Sequence, residues 1–194
     1  WMHNGFVRVD DEKISKSLDN FFTVREVLKV YSAEVIRYFL VSSHYRSEIN
    51  YSTTNLDSAK AALTRLYGSI RGLNPSTPPE QQSYTERFDV AMADDFNTPE
   101  ALAVLFELAK QINTYRAQNQ MDLASSHAGL LHQLAGLLGL MQQDAESFFC
   151  TESGQLNKAE IEDLIAQRNA ARARKDFSEA DRIRDILQEH EITL

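Results

Sequence analysis

The chain has 194 residues, is 43% hydrophobic and 25% charged, and carries a formal net charge of −8 at pH 7. That length and apolar share can bury roughly 70% of the unfolded surface, in one or two domains. The acidic total excludes nonspecific binding of nucleic acid through a broadly basic surface. By segment the balance is 0 over residues 1–54, −5 over 55–150 and −3 over 151–194, so any RNA contact must rest on a few local cations. No uninterrupted apolar run approaches the roughly 20 residues of a membrane span, and no basic-then-apolar leader is present. The single Cys150 leaves no intrachain disulfide, which fits a reducing compartment, and a cytoplasmic location is expected.

In chain order, β signals are confined to about Phe6–Val9 and to the last three residues, Ile192-Thr193-Leu194. Between them helical signals dominate. Thr23-Val24-Arg25-Glu26 is a capping box, and Ser32 precedes a run in which Val35, Ile36, Phe39, Leu40 and Ser43 share one face. Positions 56, 59, 63, 66, 70 and 73 keep helical spacing, and Asn74-Pro75-Ser76-Thr77-Pro78-Pro79 then forces a loop. Ser83-Tyr84-Thr85-Glu86 reads as a second capping box. Asn97-Thr98-Pro99-Glu100 predicts a helix start with a hydroxyl cap and proline at the first helical position. Its stripe runs Ala101, Leu105, Leu108, Ile112, Tyr115. The next helix carries Leu123, Leu130, Leu134, Leu137 and Met141. Asn157-Lys158-Ala159-Glu160 caps another, and Ser178 is expected to start the last. The fold expected is mainly α, with a helical bundle at its centre.

Three stretches carry chemistry. The first is Lys13-Ile14-Ser15-Lys16-Ser17, preceded by Trp1-Met2-His3-Asn4-Gly5-Phe6 and followed by Leu18-Asp19-Asn20. Two lysines three apart beside hydroxyls on a short polar loop can hold a polyphosphate. The second is Asp94-Asp95-Phe96-Asn97-Thr98-Pro99, where Asp95, Asn97 and Thr98 read as turn and cap residues and Phe96 as a staple into the core. The third is Arg172-Ala173-Arg174-Lys175-Asp176-Phe177 through Asp181. There Arg168, Arg172 and Lys175 share one helical face. Cations beside an aromatic at a turn suit single-stranded RNA, the ring stacking on an unpaired base, although Phe177 reads equally as core. Of His44, Tyr45 and Arg46, each can touch an RNA backbone or pin the helix end. No residue is assigned to a metal: His127 and His132 lack ligand spacing.

The first stretch resembles the KMSKS loop of class I aminoacyl-tRNA synthetases, and its flanks resemble the cysteinyl-tRNA synthetase family most closely. The second resembles the D-D-F-N-T-P signature of that family's anticodon-binding helical bundle, and the third its A-R-x-x-K-D-F-x-x-A-D anticodon-reading helix–turn–helix. The resemblance runs through most of the chain. It implies three parts: the KMSKS loop and stem-contact helices at 1–54, an antiparallel bundle at 55–150, and a truncated C-terminal domain at 151–194. It implies activation of cysteine with ATP and transfer to tRNA(Cys). Lys13 and Lys16 would be catalytic, with Ser15 and Ser17 completing the ATP contact and Gly5 letting the backbone turn closely beside the nucleotide. tRNA would be held by Arg168, Arg172, Lys175, Phe177, Asp181 and Arg46, with Arg172 as base-reading donor and Asp181 as acceptor.

Ile14 stands where the family pattern has methionine, Asp19 and Glu191 where it has glycine. The family's H-I-G-H signature and its zinc ligands have no match, so Zn2+ is expected only in a larger parent. The chain starting at Trp1 is read as the carboxy-terminal portion of that parent, a monomer, itself inactive. Two other readings remain open: a relative that joins cysteine to an amino sugar, and a non-catalytic tRNA-binding helical module.

Overall fold

A computed structural model describes residues 1–9, 12–13, 23–78, 82–153, 158–174 and 176–189, without the side chains of 12, 13, 82, 151–153, 158–160, 188 and 189. The chain divides into two compact units, Trp1–Gln142 and Gln143–Leu194. The first contains β1 (Val7–Val9), β2 (Glu12–Lys13), α1 (Val24–Val27), α2 (Ala33–Val41), β3 (Ile49–Tyr51), α3 (Thr53–Ile70), α4 (Gln82–Ala93), α5 (Thr98–Ala117) and α6 (Met121–Leu137). A sheet of order β2-β1-β3 pairs β1 antiparallel to β2 and parallel to β3. A parallel pair needs a long crossover, and here α1 and α2 lie within it. The expected strand at Phe6–Val9 is β1. β2 and β3 are additions: two and three residues are too few to show a period, and Glu, Lys and Asn are poor strand formers. The C-terminal strand and the Asn157 cap lie outside the described residues.

Helix starts follow local hydrogen bonding. The Thr23 capping box closes in both directions, with Thr23 N donating to Glu26 Oε2 at 2.6 Å and Glu26 N to Thr23 Oγ1 at 3.3 Å. Ser32 caps α2 through Val35 N at 3.4 Å, and Ser52 caps α3 through Asn55 N at 3.2 Å. Ser83 instead lies inside α4, so no capping box forms there. At α5 the cap is Asn97, whose Oδ1 accepts from Glu100 N at 3.3 Å, leaving Thr98 as the first helical residue and Pro99 the second.

The core of this unit is built by α3, α5 and α6. Leu56, Leu63, Leu66 and Tyr67 of α3 and Leu105, Leu108 and Ile112 of α5 are fully buried, as their spacing predicts. On α6 the buried face is Ala124, His127, Ala128, Leu130, Leu131, Leu134 and Ala135; Leu130 and Leu134 are buried as expected, as is Met141 beyond the helix, whereas Leu123 and Leu137 are 43% and 67% exposed. The large side chains alone do not mark the rest of that face, because its alanines are what allow close packing. Gly129 shows how close. A Cβ there would lie 1.9 Å from the Ser76 carbonyl oxygen, and Ser76 N donates to Ser125 O at 3.0 Å, so the proline loop lies directly on α6. His127 Nδ1–H donates to Leu123 O at 2.8 Å, and its buried Nε2 has no partner among the described residues. At the end of α3, Arg116 donates to the carbonyls of Gly68 and Ser69 at 3.3 and 2.9 Å, placing a cation at the negative end of that helix.

α2 is tied to the bundle through Glu34. Its carboxylate accepts from the hydroxyl of fully buried Tyr67, at 3.1 and 2.9 Å, and from the backbone N–H of Met141. Met141 sits at φ 56 and Gly139 at φ 68, where a Cβ would come within 3.1 Å of Arg37. One acid thus holds α2, α3 and the turn after α6.

The second unit contains α7 (Ala145–Ser153), α8 (Lys158–Ala173) and α9 (Phe177–Glu189). α8 and α9 pack side by side across the short connection at 174–176, burying Ala171, Ala180, Ile183 and Leu187. The cap of α9 is Asp176, whose Oδ1 accepts from Glu179 N at 3.2 Å, two residues earlier than Ser178.

Glu34→Ala removes an acceptor from two buried residues, Tyr67 and Met141, and is expected to cost about 2–4 kcal/mol. The check is the urea midpoint at unchanged slope. On α4 and α5, Arg87 donates to Glu107 at 2.6 and 2.9 Å. Those hydrogen bonds, then the charge of Arg87, hold the Glu107 carboxyl below the usual carboxylate range. The folded state therefore binds fewer protons than the unfolded one. The pair's contribution is complete above the unfolded-state value and fades as pH falls through the lowered folded one. A side-chain carbonyl titration by NMR should show the Glu107 midpoint rising in Arg87→Gln.

Candidate functional site

Lys13 ends β2, opposite Arg8 of β1. Ser15, Lys16 and Ser17 lie outside the described residues, as does Lys175. What positions the lysine strand is β1, and its fixing point is Gly5. Gly5 N donates to Tyr45 O at 2.7 Å, Ile49 N donates to Phe6 O at 2.9 Å, and Arg8 pairs with Glu48 at 2.8 Å. A Cβ on residue 5 would lie 2.0 Å from the Ser47 carbonyl oxygen and 2.9 Å from that of Arg46. Glycine is thus required by the backbone of the 44–47 loop. The close approach seen here is of chain to chain.

The same loop is held from its other side. Tyr45 OH donates to Asp95 Oδ1 at 2.7 Å, and Arg46 contacts both carboxylate oxygens, Oδ1 at 3.1 Å and Oδ2 at 2.9 Å. Arg46 N donates to His44 Nδ1 at 3.3 Å, so that nitrogen carries no proton and Nε2–H donates to the Asp95 carbonyl at 3.1 Å. The His44 and Tyr45 rings stack with centroids 4.9 Å apart, and the Arg46 guanidinium lies over Tyr45 at 5.5 Å. Hydrogen bonding to Tyr45, then the Asp95 charge, raises the Arg46 value further, so it stays a cation. Of the two readings of Arg46, pinning the helix end is the contact formed here.

Asp95 and Phe96 both sit at φ 54. Phe96 N donates to Met92 O and Asn97 N to Ala91 O, at 3.2 and 3.1 Å, so α4 closes in a left-handed turn of the kind glycine usually makes. Phe96 is 53% exposed and is no staple into the core, because the left-handed turn sends its side chain outward. The clamp at Asp95 was missed by sequence reasoning: Asp-Asp-Phe-Asn has no glycine to mark such a turn, and its partners lie 49 and 50 residues away.

In the second unit Arg172 is exposed and has no ion-pair partner among the described residues, while Asp181 pairs with Arg184 at 3.0 Å rather than with Arg172. Phe177 is 63% exposed, which resolves core against platform in favour of an open ring. Arg168 is half-buried and its Nε is buried without a hydrogen bond. A cavity of about 330 Å³ between α2, β3 and α3 is lined by Tyr38, Ser42, Ser43, Asn50, Asn55 and Ser58 among others. With no charged side chain in its lining it is unsuited to a triphosphate. Among the described residues no group of three or more His, Cys, Asp or Glu is placed to hold a metal, and the one cysteine does not fit a zinc site of the cysteine-selecting kind.

Residues 1–61 match the family model of the class I (C) tRNA synthetase catalytic domain, and residues 87–142 match the DALR domain. By structure the chain resembles the LeuRS of Agrobacterium radiobacter, solved in a ternary complex with tRNA and LeuAMS. The TM-score is 0.57 at 18% identity, over 76% of this chain and 22% of that one, a likeness of fold. The class is thus that of the class I tRNA synthetases. Cysteine–tRNA ligases of Thioalkalivibrio sulfidiphilus, Halorhodospira halophila and Neisseria meningitidis are 58%, 54% and 52% identical over 96%, 100% and 100% of this chain. The chain belongs to the cysteine–tRNA ligase family. It spans about two-fifths of the length of these relatives, 41%, 42% and 41% of each.

Gly5 falls in the matched catalytic segment, where backbone rather than a yielding side chain occupies the place of a Cβ. Gly5→Ala is expected to destabilise the first unit by about 1–3 kcal/mol, read as a lower urea midpoint, whereas Gly72→Ala, at a site with nothing within 4 Å, should not shift the β1 amides.

Proposed function

We propose that this chain serves a cysteine–tRNA ligase, supplying the ATP-phosphate-binding lysine loop and the surface that holds tRNA(Cys). The observation that carries this is the similarity to cysteine–tRNA ligases along the whole chain. In the reaction a carboxylate oxygen of cysteine bonds to the α-phosphorus of ATP as the bond to the pyrophosphate oxygen breaks. Negative charge then spreads over the nonbridging and leaving oxygens. Ammonium groups of Lys13 and Lys16 stabilise that charge more than the ground state, with Ser15 and Ser17 donating beside them. The 1–54 part works on ATP, the 55–150 bundle positions it, and 151–194 meets the anticodon.

The exposed Phe177 ring and the cation of Arg172 favour contact with single-stranded RNA, with Arg168, Lys175 and Asp181 completing the surface and the exposed side of Arg46 nearer the tRNA bend. Zinc would bind outside this chain. A cytoplasmic monomer fits these roles. The amino-sugar ligase and the non-catalytic module are disfavoured, since the resemblance includes both the lysine loop and the RNA-reading hairpin.

The test uses the parent polypeptide at full length. Lys16→Ala should lower cysteine-dependent ATP–pyrophosphate exchange by about a hundred- to thousandfold. Arg172→Ala should leave exchange alone and weaken charging of tRNA(Cys) by about 1–3 kcal/mol. Unchanged exchange in the first variant removes the lysine loop from the chemistry.

A further inference from the structure

The lysine strand and the bundle are joined by an unbroken run of short contacts within the first unit. It begins at the Asp95 carboxylate, passes to Tyr45 OH and the Arg46 guanidinium, and continues through Tyr45 O to Gly5 N at 2.7 Å. The Ser47 carbonyl fills the space where a Cβ on residue 5 would stand, and Phe6 O takes the hydrogen bond of Ile49 N. From there the register Arg8↔Lys13 carries the position of β1 to β2. Its side-chain links lie at the surface, Arg46 61% and Asp95 41% exposed, and each is held at more than one point. The carboxylate accepts three hydrogen bonds or ion contacts, and the next link is backbone against backbone.

Asp95 is also held where it costs energy to be. A non-glycine residue in the left-handed region costs roughly 1–2 kcal/mol, and Phe96 beside it doubles that load. Such strain persists only where the surroundings over-determine it. As a turn between α4 and α5 alone, the segment would be satisfied by glycine or asparagine. The carboxylate's convergence on Tyr45 and Arg46, with the carbonyl on His44, is what a turn by itself does not need.

We propose that Asp95 is a positioning residue for adenylate formation: through Tyr45 and Arg46 it fixes the 44–47 loop, and so sets the strand that ends in Lys13. The inference rests on the ligase reading above for its catalytic part, while its mechanical part stands on the contacts alone. A shift of order 1 Å in a positioned group far from the chemistry is enough to change a rate without changing what binds.

The experiment compares the full-length parent with Asp95→Ala, Asp95→Asn and Tyr45→Phe. Hydrogen exchange reads the amides of Gly5 and Ile49, and cysteine-dependent ATP–pyrophosphate exchange reads kcat and KM. Asp95→Ala is expected to lose protection at both amides and to lower kcat about tenfold, with KM for cysteine within about twofold. Asp95→Asn keeps an acceptor for Tyr45 and tolerates the left-handed turn, so it should recover most of both. Tyr45→Phe removes one donor from an exposed cluster and should give a smaller change of the same kind, which keeps the test open if Asp95→Ala does not fold. Protection unchanged in the folded variants overturns the proposal, as does lost protection with kcat unaltered. Should the unaltered parent show no cysteine-dependent exchange, the ligase reading falls, and the amide protection still decides whether Asp95 sets the strand.

Discussion

The parallel pairing of β1 with β3 is the constraint around which the first unit is arranged. Parallel strands cannot be joined by a tight turn, so the chain leaves β1, forms the lysine strand and two helices, and returns at Ile49. The return is narrow. Gly5 N to Tyr45 O and Ile49 N to Phe6 O are the contacts that close it, and any side chain on residue 5 would strike the Ser47 carbonyl. α2 lies inside the crossover and is bonded outward to the bundle by Glu34. The 44–47 loop, where the crossover ends, is bonded outward by Asp95. Two acids therefore tie the second half of this connection to the bundle, and a third contact, Tyr31 OH to Asp57 at 2.9 Å, holds it against α3.

These acids also explain why an acidic chain does not simply repel itself. Glu34 faces hydroxyl and amide donors, Asp95 a guanidinium and a phenol, and Glu107 a bidentate Arg87. Exposed pairs of this kind contribute little individually. Where the carboxylate bridges separate elements and one donor is buried, as Glu34 does with Tyr67, removing it takes an acceptor from a group that water does not reach, and the penalty is larger than for an exposed pair.

What was legible in the sequence was what local chemistry decides. Thr23 and Ser32 cap their helices because a side-chain oxygen three residues ahead of an amide needs nothing from the rest of the fold. The face of α3 follows its leucines because each is large enough to be buried for its own sake. α6 was legible only in part, for the complementary reason: Leu130 and Leu134 are buried as expected, but Ala124, Ala128 and Ala135 are buried to let another helix approach, and a small residue gives no signal of that need. The turn at Asp95 and Phe96 was misread because its left-handed geometry is sustained by partners about fifty positions earlier, not by glycine. Of the site, the lysine motif and the aromatic at the α8–α9 turn were legible as residue types in a pattern. The device that holds the lysine strand was not, since Gly5, Tyr45 and Asp95 each look ordinary until the fold brings them together.

The second unit shows how a net negative segment can still offer cations. Arg182 is engaged by Glu179 at 2.6 Å and Arg184 by Asp181 at 3.0 Å, both within α9. Hydrogen bonding from Arg182, then its charge, holds the Glu179 carboxyl below its usual range, so that acid stays ionised as the pH falls further than an isolated one would. These pairs cancel most of the charge of α9. At the end of α8, by contrast, Arg172 and Arg174 are exposed and near the negative end of their helix, which favours cations there. The exposed Phe177 ring follows directly. Exposed guanidinium groups close in sequence to an open aromatic result, although the segment as a whole is acidic, so its positive charge is concentrated at one helix end rather than spread over the surface.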